Sequence, residues 1–123
     1  MTETNLGETG FLVLTALAGE AQHGYGMIED IRRISDGQVR LHAGTLYAVL
    51  DRLRKAGLVD VDREEVVQSR LRRYYRLTAL GAQRLAAESE RLRRHAKVAH
   101  QRLNDTRLAF GTGTAPAFGT GTA

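Results

Sequence analysis

The sequence predicts a mainly helical fold with one small β-hairpin: three short helices, the hairpin, and then a single long C-terminal helix. Three observations carry this. Apolar residues recur at helical spacing in three stretches before residue 57. The period then switches to two, and after Thr78 a helical pattern runs unbroken for about twenty-five residues.

The first helix covers residues 6–18, where Phe11, Leu12, Leu14, Leu17 and Ala18 repeat at helical spacing and Gly19 is a stop signal. His23-Gly24-Tyr25-Gly26 makes a short turn. The second helix follows, with Met27, Ile28, Ile31 and Ile34 apolar, charges between them, and an end near Asp36-Gly37. A third starts around Ala43-Gly44 and runs through Leu46, Tyr47, Val49, Leu50 and Leu53 to Gly57. Alternation then marks two antiparallel strands, residues 58–63 and 71–77. Residues 64–70 are expected to form a mobile hairpin tip, since no Gly, Asn or Pro fixes a turn type there. Tyr74 and Tyr75 alternate, which places one in the core and the other outside.

Thr78 is the expected N-cap of a long helix reaching about Leu103 and fraying over Asn104, Asp105 and Thr106. Along it Leu85, Leu92, Ala96, Ala99 and Leu103 fall at spacings of seven, four, three and four, the seam of a helix that packs on another helix. A seam longer than a small domain can cover predicts a homodimer. The tail repeats the seven letters of residues 109–115 in residues 117–123; its Gly and Thr density predicts disorder. The domain organisation is therefore 1–78 for a domain of short helices and a hairpin, 79–104 for a dimerisation helix, and 105–123 for a low-complexity tail.

Composition narrows the function. The 123 residues hold no cysteine, which excludes disulfides, thiolate nucleophiles and thiolate metal sites. No apolar run approaches membrane-spanning length and no leader pattern opens the chain, so the expectation is a cytoplasmic protein without a membrane partner. The net charge of +4 is unevenly spread: residues 1–37 carry six acids and two bases, and residues 38–104 carry fifteen bases and seven acids. Sixteen of the eighteen bases are arginine, suited to phosphate and guanine recognition. The basic surplus starts at Arg40.

Helix, helix, turn, helix and hairpin is the order of a winged helix-turn-helix, whose third helix enters the major groove while the hairpin reaches the flanking backbone. Arg40, His42 and Thr45 fall at or before the start of that helix, Tyr47 and Arg54 further along it, and Arg70, Arg72 and Arg73 around the wing tip. Thr45 and His42 are short enough to read base edges; the wing arginines neutralise phosphates or probe the minor groove. His23 is balanced between phosphate contact and helix capping, and Tyr47 between phosphate contact and packing. Arg91, Arg93 and Arg94 read as a solvated helix face. His95 and His100, five apart, do not share a helix face, so no metal is expected; no catalytic set or cofactor cradle emerges, and the chain reads as no enzyme.

His23-Gly24-Tyr25, then Gly44-Thr45-Leu46-Tyr47, Leu53 with Gly57-Leu58-Val59, and Arg72-Arg73-Tyr74-Tyr75-Arg76-Leu77-Thr78 followed by Gly81 resemble the PadR family of transcriptional regulators, over residues 10–103. The short chain with one helix after the wing resembles the smaller subfamily. The resemblance implies a homodimeric repressor of a palindromic operator, released by a small-molecule effector or another signal, with Tyr25, His42, Thr45, Tyr47 and the wing arginines on double-stranded DNA. Ala43 and Ala48 stand where the family commonly has proline, and Gln68-Ser69-Arg70-Leu71 replaces a Gly-Arg-Pro type wing tip. The competing reading is a winged-helix interaction module that only dimerises or docks.

Overall fold

The structure, a computed structural model, describes residues 5–110, with side chains described through Thr106. The chain divides into two compact units, Met1–Ala86 and Ala87–Ala123. Element order is α1 (Gly7–Gly19), β1 (Gln22–His23), α2 (Gly24–Ile34), α3 (Ala43–Lys55), β2 (Val59–Val67), β3 (Arg70–Leu77) and α4 (Ala79–Phe110). The architecture is mainly helical with a small antiparallel sheet, as the sequence predicts.

The core is aliphatic. Helix α1 buries Leu12, Val13, Leu14, Ala16 and Leu17, an apolar surface so broad that the helix lies at the centre, against α2, α3 and β3. Met27 and Ile31 of α2 and Leu46, Leu50 and Leu53 of α3 meet it at intervals of three, four and seven, the spacing of one helix face. Val59 and Tyr75 close the core from the sheet. Tyr75 is the inward tyrosine and Tyr74 only half-buried, so the expected division of that pair holds.

The sheet differs from the predicted hairpin in three ways. It has a third strand, in order β1-β3-β2, because Gln22 and His23 pair antiparallel with Tyr75 and Tyr74. Two residues are too few to print a period on a sequence. The strands are also longer: residues 64–67 belong to β2, so the tip is two residues, not the expected seven. Gln68 (φ 52°) and Ser69 (φ 66°) are both left-handed, the combination of a type I′ turn, adopted here without the Asn or Gly that usually announces it. Finally, a bulge between Val61 and Arg63 leaves Asp62 without a partner in register; beyond it Glu64 faces Arg73 and Glu65 faces Arg72.

The connections explain several motif residues. Helix α3 ends in a Schellman motif: Gly57 (φ 80°) donates to Arg54 O at 2.9 Å and Leu58 to Leu53 O at 3.0 Å. Thr78 caps α4, its Oγ1 accepting from Gly81 N at 2.9 Å and donating to Gly57 O at 2.7 Å. Gly81 is buried so closely against the Leu58 carbonyl that no side chain fits there. Leu85 packs on the core of this first unit. Helix α4 passes through Asn104, Asp105 and Thr106, where the sequence predicts fraying, and continues to Phe110. Thr106 is helical, and its Oγ1 donates back to Arg102 O at 2.9 Å, so the hydroxyl stays within the helix rather than ending it. The repeated tail beyond Phe110 lies outside the described residues.

Candidate nucleic-acid interface

His23 opens the site. It is the N-cap of α2, and its Nδ1 accepts from Gly26 N at 3.3 Å, so capping, one of its two expected roles, is the one it fills locally. Accepting that bond requires an unprotonated Nδ1. Burial, with Arg72 nearby, pushes the His23 imidazole below its ordinary value of 6.5, with Glu65 opposing in part. The ring also meets Tyr74 edge-on, centroids 5.2 Å apart, which ties the start of α2 to the wing.

Gly24 comes next, and its missing side chain is a structural requirement. A Cβ there would collide with the hydroxyl of Tyr47, so Gly24 is the seat of the α3 tyrosine. Tyr25, the following residue, is 78% exposed. Across from these helices, β2 and β3 supply the wing, and between them lies an open groove of about 510 Å³. Its lining includes Tyr25, Tyr47, Arg70, Arg72 and Arg73, five of the nine residues the sequence nominated for DNA, together with His23 and Gly24.

The other four sit elsewhere. His42 and Thr45 are exposed at the start of α3, His42 being its N-cap without a side-chain capping bond. Arg40 is exposed in the preceding loop, its Nε donating to Gly37 O at 3.3 Å. Arg54 faces a separate hollow with Asp51, Asp60 and Thr78, nine residues and so about 14 Å further along α3 than Thr45.

The wing's electrostatics are uneven. Arg63 pairs with Asp62 at 2.9 Å and Glu65 at 2.8 Å, and its guanidinium lies 3.9 Å from the centroid of the Tyr74 ring. These bonds hold the Glu65 carboxyl below its usual range. Arg73 pairs with Glu64 at 2.9 Å, and Arg76 lies 3.6 Å from Asp60 and 3.8 Å from Asp62. Among the described residues, Arg70 and Arg72 have no ion pair. On the other unit, Leu92 and Val98 are exposed at 40% and 46%, Ala96 and Ala99 are exposed, and Leu103 is half-buried. Among the described residues no three His, Asp or Glu side chains converge as a metal site, and no helix is long and apolar enough to cross a membrane.

Sequence reasoning missed the role of Gly24, the half-buried Gln22, whose amide nitrogen donates to both Ala16 O and Asp30 Oδ2 at 2.9 Å, and the paired state of Arg73. The His-Gly-Tyr motif was the available signal for Gly24. Which side chain presses on a glycine, however, is a property of two helices brought together.

A small helical domain whose recognition-type helix and basic β-wing flank one groove defines the class of winged helix-turn-helix proteins. The chain belongs to the transcriptional regulator PadR-like family, whose model matches residues 13–87. It is similar to a PadR family transcription regulator from hypervirulent Clostridium difficile, with 25% identity, 79% of this chain and 99% of that one covered, and a TM-score of 0.65. A PadR family regulator from Eggerthella lenta shares 26% identity over 76% of this chain and 82% of its own, with a TM-score of 0.61. Bacillus subtilis PadR, solved with operator DNA, shares the fold at 19% identity and a TM-score of 0.56, covering 63% of this chain and 44% of its own. The protein is thus a transcriptional regulator and not an enzyme.

Proposed function

We propose that this regulator binds double-stranded operator DNA in a sequence-specific manner, as a homodimer, and represses transcription until a small-molecule effector or another signal releases it. One observation carries the DNA reading: a single groove is bordered by α3, by the exposed Tyr25 of α2, and by Arg70 and Arg72, the wing arginines that make no ion pair within 4 Å among the described residues. Arg72 and Arg70 are assigned to phosphates, Tyr25 and Tyr47 to the backbone flanking the major groove, and His42 and Thr45 to base edges. Bacillus subtilis PadR, which shares the fold, was solved with operator DNA, and this supports DNA as the partner. The homodimer reading is supported by the exposed Leu92, Ala96 and Ala99, with Leu103, on α4.

The test is duplex binding across a salt series. Arg72→Ala is expected to weaken binding to every duplex and to lower the slope of log affinity against log salt by about one, while Thr45→Ala changes sequence preference at nearly constant slope. A wild-type protein without salt-dependent affinity for any duplex, its own promoter included, overturns the reading in favour of an interaction module.

A further inference from the structure

The wing carries its own acids opposite its arginines. Of the five arginines on β2 and β3, Arg63, Arg73 and Arg76 each lie within 4 Å of a β2 carboxylate. The pairing is selective. Glu65 stands directly across from Arg72 in the strand register, yet its carboxylate is taken by Arg63 at 2.8 Å, from the same strand, and Arg72 is left without an ion pair among the described residues. Glu64, across from Arg73, keeps it at 2.9 Å. Arg63 and Glu65, two apart on one strand, share a face, and the bulge at Asp62 brings a second carboxylate to the same guanidinium.

Resting on the DNA-binding reading above, we infer that Glu64 is an affinity-limiting residue: by holding Arg73 it withholds one phosphate contact and confines the wing's grip on DNA to Arg70 and Arg72. A phosphate competes with Glu64 for the same guanidinium, and the carboxylate also repels the approaching phosphate. Both effects lower sequence-independent affinity without touching the base-reading residues on α3. The pair is exposed, so the limit is graded rather than absolute.

The experiment measures binding of the full chain to a labelled duplex of random sequence between 50 and 200 mM KCl. Glu64→Gln is expected to tighten binding roughly two- to five-fold at fixed salt and to steepen the salt slope by about one. Glu64→Ala releases Arg73 by the same route and guards against an effect peculiar to the glutamine. Arg73→Ala is expected to cost less affinity in the wild type than in the Glu64→Gln background, where it reduces the gain to the part due to lost repulsion, whereas Arg72→Ala weakens binding equally in both. A wild type with a normal slope, joined to an unchanged slope in both Glu64 variants, overturns the limiting role alone. So does an Arg73→Ala loss as large in the wild type as in the Glu64→Gln chain. A wild type with no salt dependence overturns the DNA-binding reading itself.

Discussion

His23 joins α2 to the wing, and its charge state matters for both. Its folded pKa is lowered, so the native state binds fewer protons than the unfolded chain once the pH drops below the ordinary imidazole value of 6.5. Its contribution to stability is therefore fully present above 6.5 and declines as the pH falls from there towards the lower folded value. His23→Asn keeps a capping side chain that does not titrate. Urea unfolding at pH 8 and pH 5.5 is expected to show a smaller acid loss for this variant than for the wild type; equal losses would remove His23 from the account. Two glycines give a contrast at the same scale. Gly81→Ala sets a methyl against the Leu58 carbonyl, a backbone obstacle, and is expected to cost about 1–3 kcal/mol in denaturant unfolding despite the better helix former. Gly24→Ala meets only the tip of Tyr47, which swings away; stability is expected to change by less than about 1 kcal/mol while promoter affinity falls several-fold.

Among the elements, the wing turn is held against its residues' preference. Gln68 and Ser69 are both left-handed, which costs about 1–2 kcal/mol per residue for ordinary side chains. The double substitution Gln68→Asn with Ser69→Gly installs the pair of residue types that favours this turn, and is expected to raise unfolding stability by about 1 kcal/mol with DNA binding retained. Thermal melting checks it. The turn also shows what a sequence withholds. Helices α1, α2 and α3 were legible because Leu14, Ile31 and Leu50 sit in long runs where the apolar period repeats. The tip was not, because residues 64–67 are all solvent-facing or nearly so on a projecting hairpin, and no core prints alternation on such a stretch. The end of α4 is hidden for a related reason: Asn104, Asp105 and Thr106 are weak helix formers, but here they continue a helix already propagating.

For the molecule as a whole, the candidate interface was legible in outline and not in detail. Charge placed it between Arg40 and Arg76, and the groove draws on that stretch and on Tyr25 outside it. Spacing along the chain cannot show that Arg73 is already paired, nor that Arg54 lies in another hollow, because both depend on which strand or loop faces which. The proposed dimer is tested at this scale. Leu92→Asp with Leu103→Asp puts charge into the α4 seam and is expected to halve the mass found by sedimentation, with helix content preserved. An unchanged mass would assign assembly to another surface.

The strand β1 is only two residues long, but it joins Gln22 and His23 to Tyr75 and Tyr74. Through it the wing and the N-terminus of α2 share one set of backbone bonds, which ties the hairpin to the helix that carries Tyr25. The two halves of the proposed DNA grip thus resemble a calliper with a common pivot. Protection of the amides in the β1–β3 ladder against hydrogen exchange reports whether the calliper is locked, and a signal that unfastens those few bonds would spread both jaws at once.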